Sequence, residues 1–263
     1  MRRPVPAVTF DLWHTLVYVS PSEEERYMRG QLEVAADVLA RSPGLGGGSD
    51  RGRRALRTAF RREYEAAVTA SRVGRSVSPA EQFERAARAC GRRPRTELYL
   101  RSLRRLVATL RFRVAPAARP VLRALRREGY RVGVLSNTTG EPGRYLRPAL
   151  TRFGFDPLVD AYTFSDELPW SKPSPKIFEA ALARLGSAPR AAVHVGDGWS
   201  DMEGGRRARL VGTVLYTGLQ EYGPEYRRLF LAPNARPVEG DRRVAELTDV
   251  PPIVRELLPI GGR

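Results

Sequence analysis

The chain has 263 residues, 42% hydrophobic and 28% charged, a balance ordinary for a globular protein and a length that supports one large or two modest cores. No apolar run approaches the roughly 18 residues of a membrane-spanning helix, and MRRPVPAVTF lacks the apolar stretch of a secretory signal, so a cytoplasmic location is expected. The formal charge of +16 invites a nucleic-acid reading, but all of the 45 basic residues except Lys172 and Lys176 are arginines strewn over nearly every helical segment, so no nucleic-acid partner is expected.

In chain order, VTFDLWHTL comes first. The apolar run Val8 to Phe10 reads as a buried strand that delivers Asp11 to its end, with Thr15 four residues later. On this segment alone Asp11 is equally well a turn or helix-cap residue. About ninety residues of helical pattern follow. The spacing predicts a helix over Ser20 to Arg41 with a capping box at Ser22 and Glu25. SPGLGGGSDRG, Ser42 to Gly52, reads as a flexible break, and a second helix is expected over Arg53 to Ala70. A third starts at Ser78, with Pro79 at its first position and Glu81 in the capping role, and a fourth covers Thr96 to Leu110.

From Ala115 the rhythm becomes helix, strand, helix, strand, which argues for a parallel sheet with crossovers. Val121, Leu122 and Leu125 form a helical stripe ended by Gly129. RVGVLSNTTG carries an apolar run that stops at Ser136, and a strand is expected near Ala161 to Phe164. The loop LPWSKPSPKIF leads into a helix through Ile177, Phe178, Ala181, Leu182 and Leu185. AAVHVGDGWSD repeats the pattern of an apolar strand followed by polar residues. Thr213 to Tyr216 reads as the last strand, before an irregular tail whose closing helix begins at Pro251.

In a parallel sheet the residues after the C-terminal strand ends gather along one edge, where ligands bind. Asp11, Ser136, Lys172, Asp197 and Asp201 all fall at such positions. Carboxylates crowded there repel one another unless a cation sits among them, and a hard ion such as Mg²⁺ prefers oxygen ligands while keeping water for a phosphate partner. Lys172 and the Ser136 hydroxyl suit the anionic oxygens of a substrate. His14 reads as a loop-packing residue, while His194 and Cys90 read as core residues. With one cysteine and two histidines, neither an internal disulfide nor a Cys/His metal cluster is expected.

DLWHT at Asp11 to Thr15, LSN at Leu135 to Asn137, SKPSP at Ser171 to Pro175 and GDGWSD at Gly196 to Asp201 stand in the order of four motifs, and the chain resembles a haloacid dehalogenase superfamily hydrolase. The resemblance implies an α/β, Rossmann-like core with a doubly wound parallel sheet, residues 1–18 and 113–263, and an inserted all-helical C1-type cap, residues 19–112. It implies Asp11 as the nucleophile of a covalent aspartyl intermediate and Thr15, Ser136 and Lys172 as groups that hold the transferring phosphoryl. It also implies Asn137 and Trp13 beside the substrate, and Mg²⁺ held by Asp11, the Trp13 carbonyl and Asp197, with Asp201 direct or one step removed.

One position departs. Family phosphatases usually carry a second Asp two residues after the nucleophile, which protonates the leaving alkoxide and later activates water; here that residue is Trp13. An indole does neither. Losing a general acid/base costs about 10² to 10⁴ in rate, or about 3 to 5 kcal/mol of barrier. Three readings follow. The first is a Mg²⁺-dependent phosphatase or phosphotransferase for a small phosphorylated metabolite with a good leaving group. A catalytically impaired binding protein is the second. The third is a 2-haloacid dehalogenase, in which the matching residue is aromatic and a departing halide needs no proton.

Overall fold

The computed structural model describes residues 4–43, 50–231 and 238–260. Its centre is a parallel six-stranded sheet built from short apolar runs: β1 (Ala7–Phe10), β4 (Arg131–Ser136), β5 (Ala161–Phe164), β6 (Ala192–Gly196), β7 (Gly212–Tyr216) and β8 (Arg242–Val244), in the order β5-β4-β1-β6-β7-β8. β1, β6 and β7 are buried along their whole length, as expected for strands covered by helices on both faces. On one face, α5 (Ala118–Arg127) and α10 (Val250–Leu257) pack Val121, Leu122, Leu125 and Val254 against Val8, Phe10 and Val193. On the other, α7 (Pro175–Arg184) places Ile177 and Phe178 on Leu135, and α8 (Trp199–Arg207) lies beside it. The result is the doubly wound sheet that the alternation of strands and helices predicts.

Between β1 and β4 stand α1 (Pro21–Ala40), α2 (Asp50–Arg72), α3 (Pro79–Ala89) and α4 (Thr96–Val107), which share a cluster of their own around Leu39, Phe60, Phe83, Tyr99 and Leu103. Ser78 caps α3 as expected, its hydroxyl accepting from the Glu81 N–H. The cap of α1 is Ser20, not Ser22: Pro21 takes the first helical position, and the Ser20 hydroxyl accepts from the Glu23 N–H. Within the break expected over Ser42 to Gly52, residues 44–49 lie outside the described residues, and α2 begins at Asp50.

Three features were not expected. The two-residue strands β2 (Val17–Tyr18) and β3 (Arg113–Val114) pair antiparallel and bring together the chain entering and leaving the four helices. Thr213 to Tyr216 is not the last strand, since β8 pairs with β7 at the sheet edge; its exposed Arg242 and Arg243 give it no apolar signature. The tail is also less irregular than expected. A helical turn, α9 (Pro224–Tyr226), continues into a π-helical turn, Arg227–Leu231, and carries Leu229 into the cluster of the four helices. No described helix is long and apolar enough to cross a membrane.

Phe83 is fully buried, with its ring stacked on Tyr99 at 4.4 Å. Phe83→Ala is expected to lower stability by about 3–5 kcal/mol in urea denaturation, because the helices around it collapse only partly into the space left.

Candidate active site

Register brings the functional residues together. β1 pairs with β4 at Phe10↔Val134 and with β6 at Phe10↔Val195. Adjacent strands lie about 4.8 Å apart, so the residues just beyond each strand end face one another across a narrow gap. There a cavity of about 390 Å³ opens beneath the four helices, lined by Asp11, Trp13, Ser136, Lys172, Asp197 and Asp201, with Tyr27, Tyr64 and Glu141 higher on its wall.

Lys172 is 1% exposed, and its ammonium sits 2.7 Å from Asp11 Oδ1 and 2.5 Å from Asp201 Oδ1. Burial alone would lower its pKa, but Asp11 and Asp201 outweigh that and raise it. Its backbone is equally fixed, since Asn137 accepts from the Lys172 N–H at 2.8 Å and donates to the Lys172 carbonyl at 3.0 Å. Both ends of the Asn137 amide are therefore engaged with the peptide of Lys172. Asp11 Oδ1 also accepts from the Leu12 N–H at 2.8 Å, which leaves Oδ2 without a donor among the described residues.

Asp201 is tied down from three sides, by Lys172, by His194 Nε2 at 2.9 Å and by the Gly198 N–H at 3.1 Å. Burial would raise its carboxyl, yet Lys172 and His194 prevail and hold it near 2. His194 is in the core as expected, but it is also a positioning residue, its Nδ1 bonded to Thr9 at 2.8 Å. Gly196 has no room for a side chain, because a Cβ would lie 2.3 Å from Asp201 Cγ. Asp197 is less well provided for. It accepts from the Tyr222 hydroxyl at 2.9 Å and from Thr15 at 3.5 Å, and burial together with the Asp11 charge pushes its carboxyl up to about 7.

Asp11, Asp197 and Asp201 each offer a carboxylate oxygen within 4.8 Å of the others. A divalent cation fits this oxygen-only set, because it would offset the burial and the mutual repulsion that together raise Asp11 and Asp197. With Asp201 engaged by Lys172, His194 and the Gly198 N–H, the carboxylates left to a cation are Asp11, whose Oδ2 has no donor among the described residues, and Asp197, which is bonded only by the Tyr222 and Thr15 hydroxyls. The Ser136 hydroxyl, 1% exposed, has no hydrogen-bond partner among the described residues.

From residue 5 to 209 the sequence matches the haloacid dehalogenase-like hydrolases. The chain belongs to that family. Among curated relatives it is 32% identical over 95 residues to a phosphoglycolate phosphatase of Nitrosococcus oceani, a match covering 36% of this chain and 41% of that one. It is 34% identical over 100 residues to a glyceraldehyde 3-phosphate phosphatase of Methanothermobacter thermautotrophicus, covering 37% and 42%. The chain thus spans about two fifths of the length of these relatives. A HAD phosphatase from Thermococcus onnurineus aligns over 95% of this chain and 97% of its own, with a TM-score of 0.57 at 23% identity, a likeness of fold.

In this haloacid dehalogenase-like chain the position of Trp13 is filled in a way the sequence did not suggest. The indole Nε1 donates to Glu141 Oε1 at 3.1 Å, and the Tyr27 hydroxyl on α1 donates to Glu141 Oε2 at 3.2 Å. Glu141 lies five residues past Ser136 in the polar segment after β4, which was the signal available for it. Tyr222 had none, since it sits in the tail. His14 is a buried packing residue with φ 55, paired with Glu24 at 3.2 Å and edge-on to Tyr222 and Tyr226.

Burial pushes the Glu141 carboxyl from its ordinary 4.5 up to about 7, against the lowering effect of the Tyr27 and Trp13 hydrogen bonds. The folded state therefore keeps this proton to higher pH than the unfolded chain. The resulting stability is fully present below about pH 4.5 and is lost as pH rises through about 7, a loss of up to about 3 kcal/mol. Glu141→Gln is expected to remove that loss, so between about pH 5 and pH 8.5 the wild type should weaken relative to the variant in urea denaturation. Parallel pH profiles would refute this account of Glu141.

Proposed function

We propose that this protein is a phosphatase or phosphotransferase for a small phosphorylated metabolite, acting through covalent attack by Asp11, with residues 19–112 serving as the cap over the site and residues 1–18 and 113–263 as the core. The observation that carries the reading is the unpartnered Ser136 hydroxyl, buried in the same cavity as Asp11 and Lys172. A buried hydroxyl without a partner costs free energy, and an incoming phosphoryl oxygen supplies the missing bond.

Asp11 Oδ2 attacks phosphorus, the bond to the leaving oxygen breaks, and an aspartyl phosphate forms. Lys172 holds the other Asp11 oxygen, fixing the carboxylate for attack, and offsets charge on the transferring group. Ser136 and Thr15 donate to its oxygens. Water or an acceptor alcohol then attacks the phosphoryl group and releases Asp11. Mg²⁺, for which Asp11, Asp197 and the Trp13 carbonyl are the proposed ligands, would supply charge neutralisation when bound. Asp201 acts from behind, by holding Lys172. Trp13 supplies no proton to the leaving oxygen, so aryl and acyl phosphates are favoured over alkyl ones.

The dehalogenase reading is served by the aromatic Trp13 and opposed by the crowd of carboxylates, which disfavours a carboxylate-bearing haloacid in a metal-free site. Hydrolysis of 4-nitrophenyl phosphate is expected with Mg²⁺, abolished by chelation and reduced at least about 10³-fold in Asp11→Asn. Halide release from a 2-haloacid without metal would replace this reading, and tight ligand binding without turnover would leave a binding protein. In a folded Trp13→Asp variant, kcat for an alkyl phosphate is expected to rise by about tenfold or more, because the new carboxyl is placed to protonate the leaving oxygen. An unchanged or lower kcat would count against this account of position 13.

A further inference from the structure

The cavity wall around the leaving group is not electrically neutral, and its charges are provided for unequally. Asp11 and Asp201 share Lys172, and Glu24 is paired with His14. Glu141, 6% exposed and on the same wall, receives only the neutral donors of Trp13 and Tyr27 and forms no ion pair among the described residues. Each carboxylate oxygen accepts more than one hydrogen bond, so Glu141 keeps accepting capacity. Trp13, Tyr27 and Tyr64 line the same cavity with aromatic surface, which favours cations and disfavours anions. The one guanidinium that lines the cavity among the described residues, Arg72, donates through Nη2 to the Leu229 carbonyl.

We infer that Glu141 is a specificity-determining residue of this site, selecting phosphate esters whose alcohol portion carries a hydroxyl or ammonium donor and rejecting those that carry a carboxylate. This rests on the phosphoryl-binding reading above. The phosphate end is held at Asp11, Ser136 and Lys172, and the remainder of a small ester then lies against Trp13 and the carboxylate bonded to it. A hydroxyl or ammonium there gains a charge-assisted hydrogen bond, whereas a carboxylate meets a like charge in a poorly solvated pocket.

The test uses non-hydrolysable phosphonates, so it reads binding even where turnover fails. Affinities of the full chain are measured by calorimetry with Mg²⁺ at about pH 8.5 for phosphonoacetate, 2-hydroxyethylphosphonate and 2-aminoethylphosphonate. The wild type is expected to bind the hydroxyl and ammonium compounds at least about tenfold more tightly than phosphonoacetate. Glu141→Gln is expected to narrow that ratio at least about fivefold, chiefly by gaining affinity for phosphonoacetate. An unchanged ratio in the variant overturns the inference. Should the variant not fold, the wild-type order decides: phosphonoacetate bound as tightly as the others, or none bound, overturns it and returns the selection to Arg72 or elsewhere. If the expected order holds while 4-nitrophenyl phosphate is not hydrolysed, selectivity stands and the catalytic reading falls.

Discussion

The buried ammonium of Lys172, lodged between Asp11 and Asp201, is the charge on which this edge of the sheet depends. Taking a lysine and two carboxylates out of water costs several kcal/mol per ion, and the arrangement survives because further hydrogen bonds hold its members in place. Asn137 grips the peptide of Lys172 on both sides, while His194 and the Gly198 N–H hold Asp201. Removing one partner would strand the others in a low-dielectric site, which typically costs 3–5 kcal/mol, so the geometry is over-determined. The consequence for Asp11 is that one oxygen is fixed and the other is left without a donor among the described residues.

The same edge carries more negative charge than Lys172 balances. Asp197 is bonded only by hydroxyls, and its carboxyl is pushed up to about 7 by burial and by Asp11. Ser136 is buried with its hydroxyl unsatisfied. A fold optimised for stability alone would fill or neutralise both positions; together they suit the cation and the phosphoryl anion of the proposed reaction.

The strands were legible because a parallel strand buried on both faces is a short apolar run, and the polar residue that ends the run marks the sheet edge. Asp11, Ser136 and Asp197 follow from that rule alone. β8 escaped it because an edge strand needs only one buried residue, here Val244, between exposed arginines and the next turn. Pairs made between loops left no local trace. Trp13 and Glu141 are 128 residues apart, and Asp197 and Tyr222 meet only because the tail packs onto the cap. The Lys172 and Asp201 pairing was half visible: both residues were placed at the edge, but a sequence does not say whether an acid there faces a lysine or a metal.

The tryptophan at position 13 is intelligible only with its neighbours. A half-buried indole N–H needs an acceptor, and Glu141 provides it. That acceptor lies deep enough that its own charge is costly, and Tyr27 from α1 completes its shell. The indole at position 13 thus holds a carboxyl, Glu141, on its N–H within the same cavity as Asp11. It also ties α1 to the sheet, since the acceptor stands on the segment after β4 and one of its donors on α1. Glu24 on α1 reaches the same way to His14 and to the Gly223 N–H of the tail. Lifting the four helices away would break both links and put the Glu141 carboxylate into water. The setting of the Glu141 carboxylate consequently depends on how α1 sits against the segment after β4.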